Sequence, residues 1–499
     1  MEKRFIMAID QGTTGTRVVL FNHDGQIHSS AYREIRQIFQ KPGWVEHDAN
    51  EYWSTTLECA AEAFETGNTS AQEVAAIGIT CQRESTVLWD RDTGEPLYNA
   101  ICWQSRQTAS ICEEMKEAGL DPYVRERTGL LIDAYFSGTK IKWIMDNVPG
   151  VKEKVAQKKV CFGNIDSYLM FKLSAGVSHV EDYSNASRTL LLDIHTLKWD
   201  QKIMDALNVP EHILPELKPS SGLLTTTNKD VFFGQEIPVT GDAGDQQAAT
   251  FGQTCFEPGM AKNTYGTSLA LMMNIGETPK ISTTGLTTDL AWVIDDKVEY
   301  AYEGVIFVGG ATIQWLRDGL KIIEDSAQVS ELASRVDDTG GVYLVPAFVG
   351  LCAPYWDMYA RGTIVGITRG TTDEHIARSA LEAIAYQTRD VLDCMTTDSG
   401  QQVKALRVDG GATASDFLMQ FQADILGIPI QKPVVTEMAA LGAAYLAGLG
   451  VGFWKSKEEI AKQWAVAKVF EPNMSEDQRE SLYAGWQRAV ERSFGWAKE

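Results

Sequence analysis

Four short stretches of this chain combine glycine, threonine and acid in an order that suits phosphate chemistry. Asp10-Gln11-Gly12-Thr13-Thr14-Gly15-Thr16-Arg17 follows the apolar run Phe5 to Ile9 and precedes another, Val18 to Phe21. The stretch from Met260 to Asn274 repeats that plan around Tyr265-Gly266-Thr267. Glycine lets the backbone approach an anion and threonine adds a hydroxyl beside exposed N–H groups, so each copy reads as a hairpin with a phosphate-sized tip. The other two stretches are strands that break at a glycine-acid turn and enter a helix. One runs Ile237 to Gln247 through Gly241-Asp242-Ala243-Gly244-Asp245; the other runs Leu406 to Ala412 through Asp409-Gly410-Gly411. Helix starts favour phosphate, and a metal can offset the carboxylates. Singly, such turns are ordinary punctuation. As an ordered set they point to a polyphosphate held between two facing lobes.

A second group of residues suits a small hydroxylated ligand. Ala75 to Thr80 reads as a buried strand releasing Cys81-Gln82-Arg83-Glu84 at its carboxyl end, where open α/β sheets keep their ligands. Trp103-Gln104-Ser105-Arg106 mixes an aromatic face with planar donors, and Tyr135 precedes a helix running through Asp146. Gly309-Gly310 opens a helix carrying Gln314 and Trp315.

The elements that must position these groups repeat in order. After the first hairpin come a pair of strands between Gln26 and Gln37 and a helix from about Glu51 to Phe64, capped by Asp48-Ala49-Asn50. The second half adds a strand around Val298 to Tyr302 and helices over 372–396 and 415–426. The amphipathic stretch after Ser475 carries Leu482, Trp486 and Val490 and is expected to cover the second lobe. The chain of 499 residues is too long for one core, and the duplicated plan divides it near Gly252.

Net charge −22 argues against nucleic acid or an anionic membrane as partner. The eight cysteines show no zinc or disulfide spacing and read as reduced packing residues of a cytoplasmic protein. The longest apolar run, Ala439 to Trp454, is rich in Gly and Ala and falls short of the roughly 20 residues a bilayer span needs. It reads as a buried helix, and no integral membrane segment is expected.

At these residues the chain resembles the FGGY carbohydrate kinases. The shared runs include Asp10 to Thr14, Gly43-Trp44-Val45-Glu46-His47, Gln82-Arg83-Glu84, Trp103 to Arg106, Asp182 to Thr189, Gly244 to Ala248, Lys262 to Thr267, Gln314 to Gly319, Ala353 to Asp357 and Ala440 to Tyr445. The resemblance implies an α/β protein of two actin-like (ribonuclease-H-like) lobes with an ATP cleft between them. Residues 1–252 would hold the polyol site and the first phosphate hairpin; residues 253–499 would hold the nucleotide site and the C-terminal helices. It further implies ATP-dependent phosphorylation of glycerol to sn-glycerol 3-phosphate, with Mg²⁺, in a homodimer or homotetramer. Residue by residue, Arg83, Glu84, Trp103, Tyr135, Asp245 and Gln246 would hold the triol, Asp245 would be the general base, and Asp10 and Asp245 would attend the metal. Thr13, Thr14, Gly15, Arg17 and Thr267 would attend the phosphates, and Gly310, Gln314, Gly411 and Ser415 the nucleoside end.

The pattern breaks at several places. Cys81 stands where the family usually has Asn, Ala270 where a Phe commonly packs against glycerol, and Ser415 where an Asn lies near adenine. Gly15-Thr16, Cys352 and Met438-Ala439 differ as well. The Ala270 and Cys81 changes leave open a kinase for a longer polyol or sugar. The loop Phe233-Gly234-Gln235-Glu236 lacks the basic residue that fructose 1,6-bisphosphate would want, and Val231 occupies the position of a phosphorylatable histidine, so neither control is expected.

Overall fold

The computed structural model describes residues 2–498. Its first half contains β1 (Phe5–Gln11), β2 (Gly15–Phe21), β3 (Ile27–Glu34), α1 (Ala49–Thr66) and β4 (Val74–Cys81), then β5 (Ser221–Thr226), β6 (Pro238–Gly244) and α2 (Asp245–Gly252). The second contains β7 (Ala261–Tyr265), β8 (Leu269–Gly276), β9 (Thr287–Ile294), β10 (Lys297–Ile306), α3 (Ala311–Asp318), α4 (Asp373–Ser399), β11 (Leu406–Asp409), α5 (Asp416–Leu426), β12 (Ile430–Pro433), α6 (Met438–Gly450), β13 (Val466–Phe470) and α7 (Glu476–Glu491).

Thirteen of these strands form one continuous sheet in the order β3-β2-β1-β4-β6-β5-β9-β10-β8-β7-β11-β12-β13. The duplication is explicit in that order. β3-β2-β1-β4-β6 in one half and β10-β8-β7-β11-β12 in the other follow the same local succession, with antiparallel hairpins β1/β2 and β7/β8 and parallel pairs β1/β4 and β7/β11. A single pairing, Ser221 with Ile294, joins the halves through β5 and β9. β1 and β4 are apolar and buried almost throughout because helices cover both faces of a parallel sheet. The expected strand pair between Gln26 and Gln37 is instead one strand, β3; Gln37–Ile38 turns away to pair with Glu46–His47.

The Gly- and Ala-rich run forms α6, and it lies on the first half's strands β1, β4 and β6 and on α2. Small residues permit that closeness: a Cβ on Gly442 would stand 1.8 Å from the Ala248 carbonyl oxygen. Among the described residues no helix is long and apolar enough to cross a membrane. α7 covers the second half as expected, where the Tyr483 hydroxyl and Trp486 Nε1 donate to Asp390 on α4 at 2.6 and 2.9 Å.

Candidate active site

β4 ends at Cys81 and delivers Arg83 and Glu84 into the interior, 3 % and 1 % exposed. Glu84 has φ +62°, a left-handed backbone that a non-glycine residue keeps only when its surroundings enforce it. Here Lys140 Nζ and Ser137 Oγ donate to the Glu84 carbonyl at 2.9 and 3.1 Å. Lys140, wholly buried, also donates to the Tyr135 carbonyl at 2.5 Å and so ties two predicted ligand segments together. Burial lowers its ammonium pKa to about 8.

Arg83 is the hub. It meets Asp245 at 3.1 Å, donates to Glu303 at 2.5 Å and donates to Gln247 at 3.2 Å. Arg188 runs parallel to it, reaching Glu84 at 2.5 Å, Asp289 at 2.6 Å and Glu303 at 2.9 Å. Burial pushes the Glu84 carboxyl up, against the pull of Arg188 and Arg83. Burial pushes Glu303 up too, but there the two arginines prevail and hold it below its ordinary value. The result is a fixed fork of planar donors and carboxylates, suited to bidentate recognition of hydroxyl groups. A Cβ on Gly244 would sit 2.5 Å from the Arg83 side chain, so the residue before Asp245 must be glycine for the two to meet.

Trp103 and Tyr135 stand edge to face, centroids 5.5 Å apart, and Trp103 Nε1 donates to Thr13 Oγ1 at 2.9 Å. The first hairpin tip therefore adjoins the aromatic wall. Tyr135, Arg188, Glu303, Val305, Phe307 and Cys352 line a cleft. Ala270 pairs with Val305 across β8 and β10 and so shares its face of the sheet. Cys81 is not part of that lining: it is fully buried, its thiol 3.6 Å from Asp166 and from Asn185.

Asp10 ends the inward run of β1 near Asp245 and Glu437. Burial first, then those two carboxylates, raise its carboxyl to about 7 against the opposing pull of Arg17. Two acids crowded in this way at the mouth of a phosphate hairpin fit a divalent cation. Asp245 accepts from the Gln246 N–H at 2.7 Å, and Gln246 in turn accepts from Lys262 of β7. Thr14 is exposed at the tip, Gly15 packs beneath Tyr32 and Arg33, and Arg17 pairs with Glu437 at 3.3 Å.

The second tip places Thr267 in the open. A Cβ on Gly310 would stand 2.7 Å from the Gly266 carbonyl oxygen, and the Gly309 and Gly310 N–H groups donate to Thr267 and Gly266 at 2.9 Å each. The paired glycines thus seat the hairpin against α3, and their N–H groups are already used. Gln314 is exposed on α3, and Gly411 has nothing within 4 Å of a Cβ position, so both border open space. Ser415 caps α5 by accepting from Leu418 N–H at 3.1 Å and bonds Ser330 Oγ at 2.7 Å, which occupies its hydroxyl.

The structure brings Arg83, Glu84, Asp245, Gln246, Trp103, Tyr135 and Thr13 together. It adds Arg188, Glu303, Asp289, Lys140 and Lys262, whose roles the sequence reading did not assign. Charged residues inside strands, Glu303 in β10 and Lys262 in β7, were the available signal, since such groups stay buried only when paired.

The family model of the FGGY carbohydrate kinases' N-terminal domain matches residues 5–252, and that of the C-terminal domain matches residues 261–451. The chain belongs to the FGGY family of carbohydrate kinases. Within it, the chain is 60 % identical to the glycerol kinase of Caldanaerobacter subterraneus subsp. tengcongensis, over 99 % of this chain and all of that one. It is 58 % identical to glycerol kinase 2 of Thermotoga maritima over 99 % of this chain and all of that one. The crystal structure of Plasmodium falciparum glycerol kinase with ADP superposes with a TM-score of 0.92 at 36 % identity, covering 99 % of this chain and 98 % of that one.

Proposed function

We propose that this protein transfers the γ-phosphoryl group of ATP to glycerol, giving sn-glycerol 3-phosphate. The observation that carries the reading is the convergence of Arg83, Glu84 and Asp245 with Trp103 and Tyr135 beside the first Gly-Thr hairpin. Glycerol offers three hydroxyls and little apolar surface, so a charged fork with an aromatic wall is the chemistry that would hold it. The hydroxyl oxygen attacks the γ-phosphorus as its proton passes to the Asp245 carboxylate, and ADP departs with the electron pair of the broken P–O bond. Arg83, 3.1 Å from Asp245, fixes the carboxylate's direction, and the Thr13, Thr14 and Thr267 tips supply donors to the phosphates. Asp10 and Asp245 are the residues that would hold Mg²⁺, which when bound neutralises charge developing on the phosphates.

The test is ATP-dependent ADP release by the purified protein with glycerol, erythritol, xylitol, ribitol and dihydroxyacetone. Glycerol is expected to give the highest kcat/KM; a longer polyol ranking above it would overturn the reading and assign the specificity to the small side chain of Ala270 beside Val305.

A cytoplasmic setting is supported by the eight unpaired cysteines. A homodimer or homotetramer is supported by exposed Val349, Met358 and Trp496, which gather where the Ala497 N–H meets the Tyr359 carbonyl at 2.9 Å. Sedimentation of the purified protein tests it.

A further inference from the structure

Beneath the substrate fork lies a group of acids that phosphoryl transfer does not use. Asp166 stands in the first turn of the helix Ile165–Leu173, Asp182 ends the short strand Val180–Asp182, and Asp242 lies on β6 in the stretch leading to Asp245. Each offers a carboxylate oxygen within 4.8 Å of the others, and all three side chains are fully buried.

Their surroundings are unequal. Asp182 accepts from the Ser184 and Asn185 N–H groups, the Ser184 and Ser220 hydroxyls and the Asn185 amide, all between 2.7 and 3.0 Å. Burial pushes its carboxyl up, against the pull of these donors. Asp166 has a weak thiol donor, Cys81 at 3.6 Å from Oδ1, and its Oδ2 has no partner. Neither oxygen of Asp242 accepts from an amide, hydroxyl or thiol donor, and its one side-chain partner is the Asp166 carboxyl. The charges that bear on Asp242 are those of Asp166, Asp182 and Glu181, all carboxylates.

A buried carboxylate with neither donor nor counter-charge is costly. Protons shared among the acids would serve one contact between oxygens and leave the remaining Asp242 and Asp166 oxygens without partners. One cation among the three carboxylates serves them all. We propose that Asp166, Asp182 and Asp242 form a buried site for a hard divalent cation, separate from the Asp10 and Asp245 pair at the cleft. An all-carboxylate donor set selects oxygen-seeking ions, and oxygens within 4.8 Å of each other fit an ion bound at about 2.3–2.6 Å, the range of Ca²⁺. The site connects to the chemistry through one hydroxyl: Ser184 Oγ, which donates to Asp182, accepts the Gly244 N–H at 3.0 Å. The ion therefore braces the turn that presents Asp245.

The experiment uses full-length, nucleotide-free protein, unfolded and refolded in EDTA and then given Ca²⁺, Mn²⁺ or Mg²⁺ before gel filtration. Metal content is read by elemental analysis and melting by calorimetry. About one equivalent of a divalent cation per chain is expected, with a rise in Tm of several degrees, retained in Asp10→Asn and lost in Asp242→Asn. A wild-type protein that neither keeps any of the three cations nor changes its Tm would overturn the proposal, as would equal metal in Asp242→Asn. If Asp242→Asn does not fold, the wild-type arm decides alone, because it needs no substitution.

Discussion

The two halves share a strand order and a strand-to-helix turn, yet the two turns put their acids to opposite uses. In the first, Asp245 keeps a side chain 31 % exposed at the start of α2, facing Arg83 at 3.1 Å. In the second, Asp409 is 4 % exposed, accepts from Gln253 Nε2 at 2.8 Å and lies close enough to Lys262 to be steadied by its charge. What that turn offers the cleft is backbone: Gly411, exposed and with nothing within 4 Å of a Cβ position. Duplication preserved the backbone device, and the side chains around it divided the labour. One turn points a base at the hydroxyl, and the other buries its acid and leaves room for a ligand.

The largest effects should fall on the first turn. Asp245→Asn is expected to lower kcat by about 10³-fold with a modest change in KM, while Asp409→Asn should leave kcat within a few-fold and lower Tm instead. Steady-state kinetics and calorimetry on both variants break the comparison if Asp245→Asn retains full activity, for then the base lies elsewhere.

Arg188→Met tests whether the fork is one charge system. It strands Glu84, Asp289 and Glu303, three carboxylates no more than 1 % exposed, beside a single remaining arginine. Breaking a buried network of this kind costs about 3–5 kcal/mol. Denaturant unfolding should show that loss, and adding Asp289→Leu should recover part of it, since one stranded charge is then removed.

The division between the halves also explains what the sequence could disclose. Hairpin tips, glycine-acid turns and the strand end at Arg83-Glu84 are local patterns, and each formed where its spacing placed it. The fork is not local. Arg188 meets Glu84 across 104 residues and Arg83 meets Glu303 across 220, so no window of sequence contains either pair. Gly309-Gly310 shows the converse: a legible glycine pair whose N–H groups the fold spends on the neighbouring hairpin. Cys81, read as a pocket change, turns out to face buried acids because β4 points alternate side chains to opposite faces.

Lys140 sharpens the picture on the first half alone. It touches neither reacting group, but its two donations hold the Glu84 and Tyr135 carbonyls. In Lys140→Met the left-handed Glu84 loses a restraint, and KM for glycerol should rise about tenfold while kcat falls less. Lys140→Arg, which keeps the charge but replaces the compact ammonium with a larger planar group, should recover only part of that. An equal fall in kcat with unchanged KM would mean that Lys140 acts on the transition state and not on substrate positioning.

The smallest effect belongs to the second half, where acids serve structure. Burial raises the Asp390 carboxyl to about 7 even though Tyr483, Trp486 and Tyr355 favour its charged form. A group whose folded pKa lies above its unfolded value binds more protons when folded, so stability falls as pH rises between the two values. For Asp390 that window runs from about pH 4 to 7, and its contribution is at most a few kcal/mol. Calorimetry of the wild type should show Tm declining from this source between pH 5 and 7, and Asp390→Asn, which cannot titrate, should flatten the decline while lowering Tm throughout by leaving the Trp486 Nε1 donor opposed. An unchanged slope in the variant would mean that the hydrogen bonds from α7 outweigh burial and hold Asp390 charged, whereas at Asp182 in the first half burial outweighs the donors.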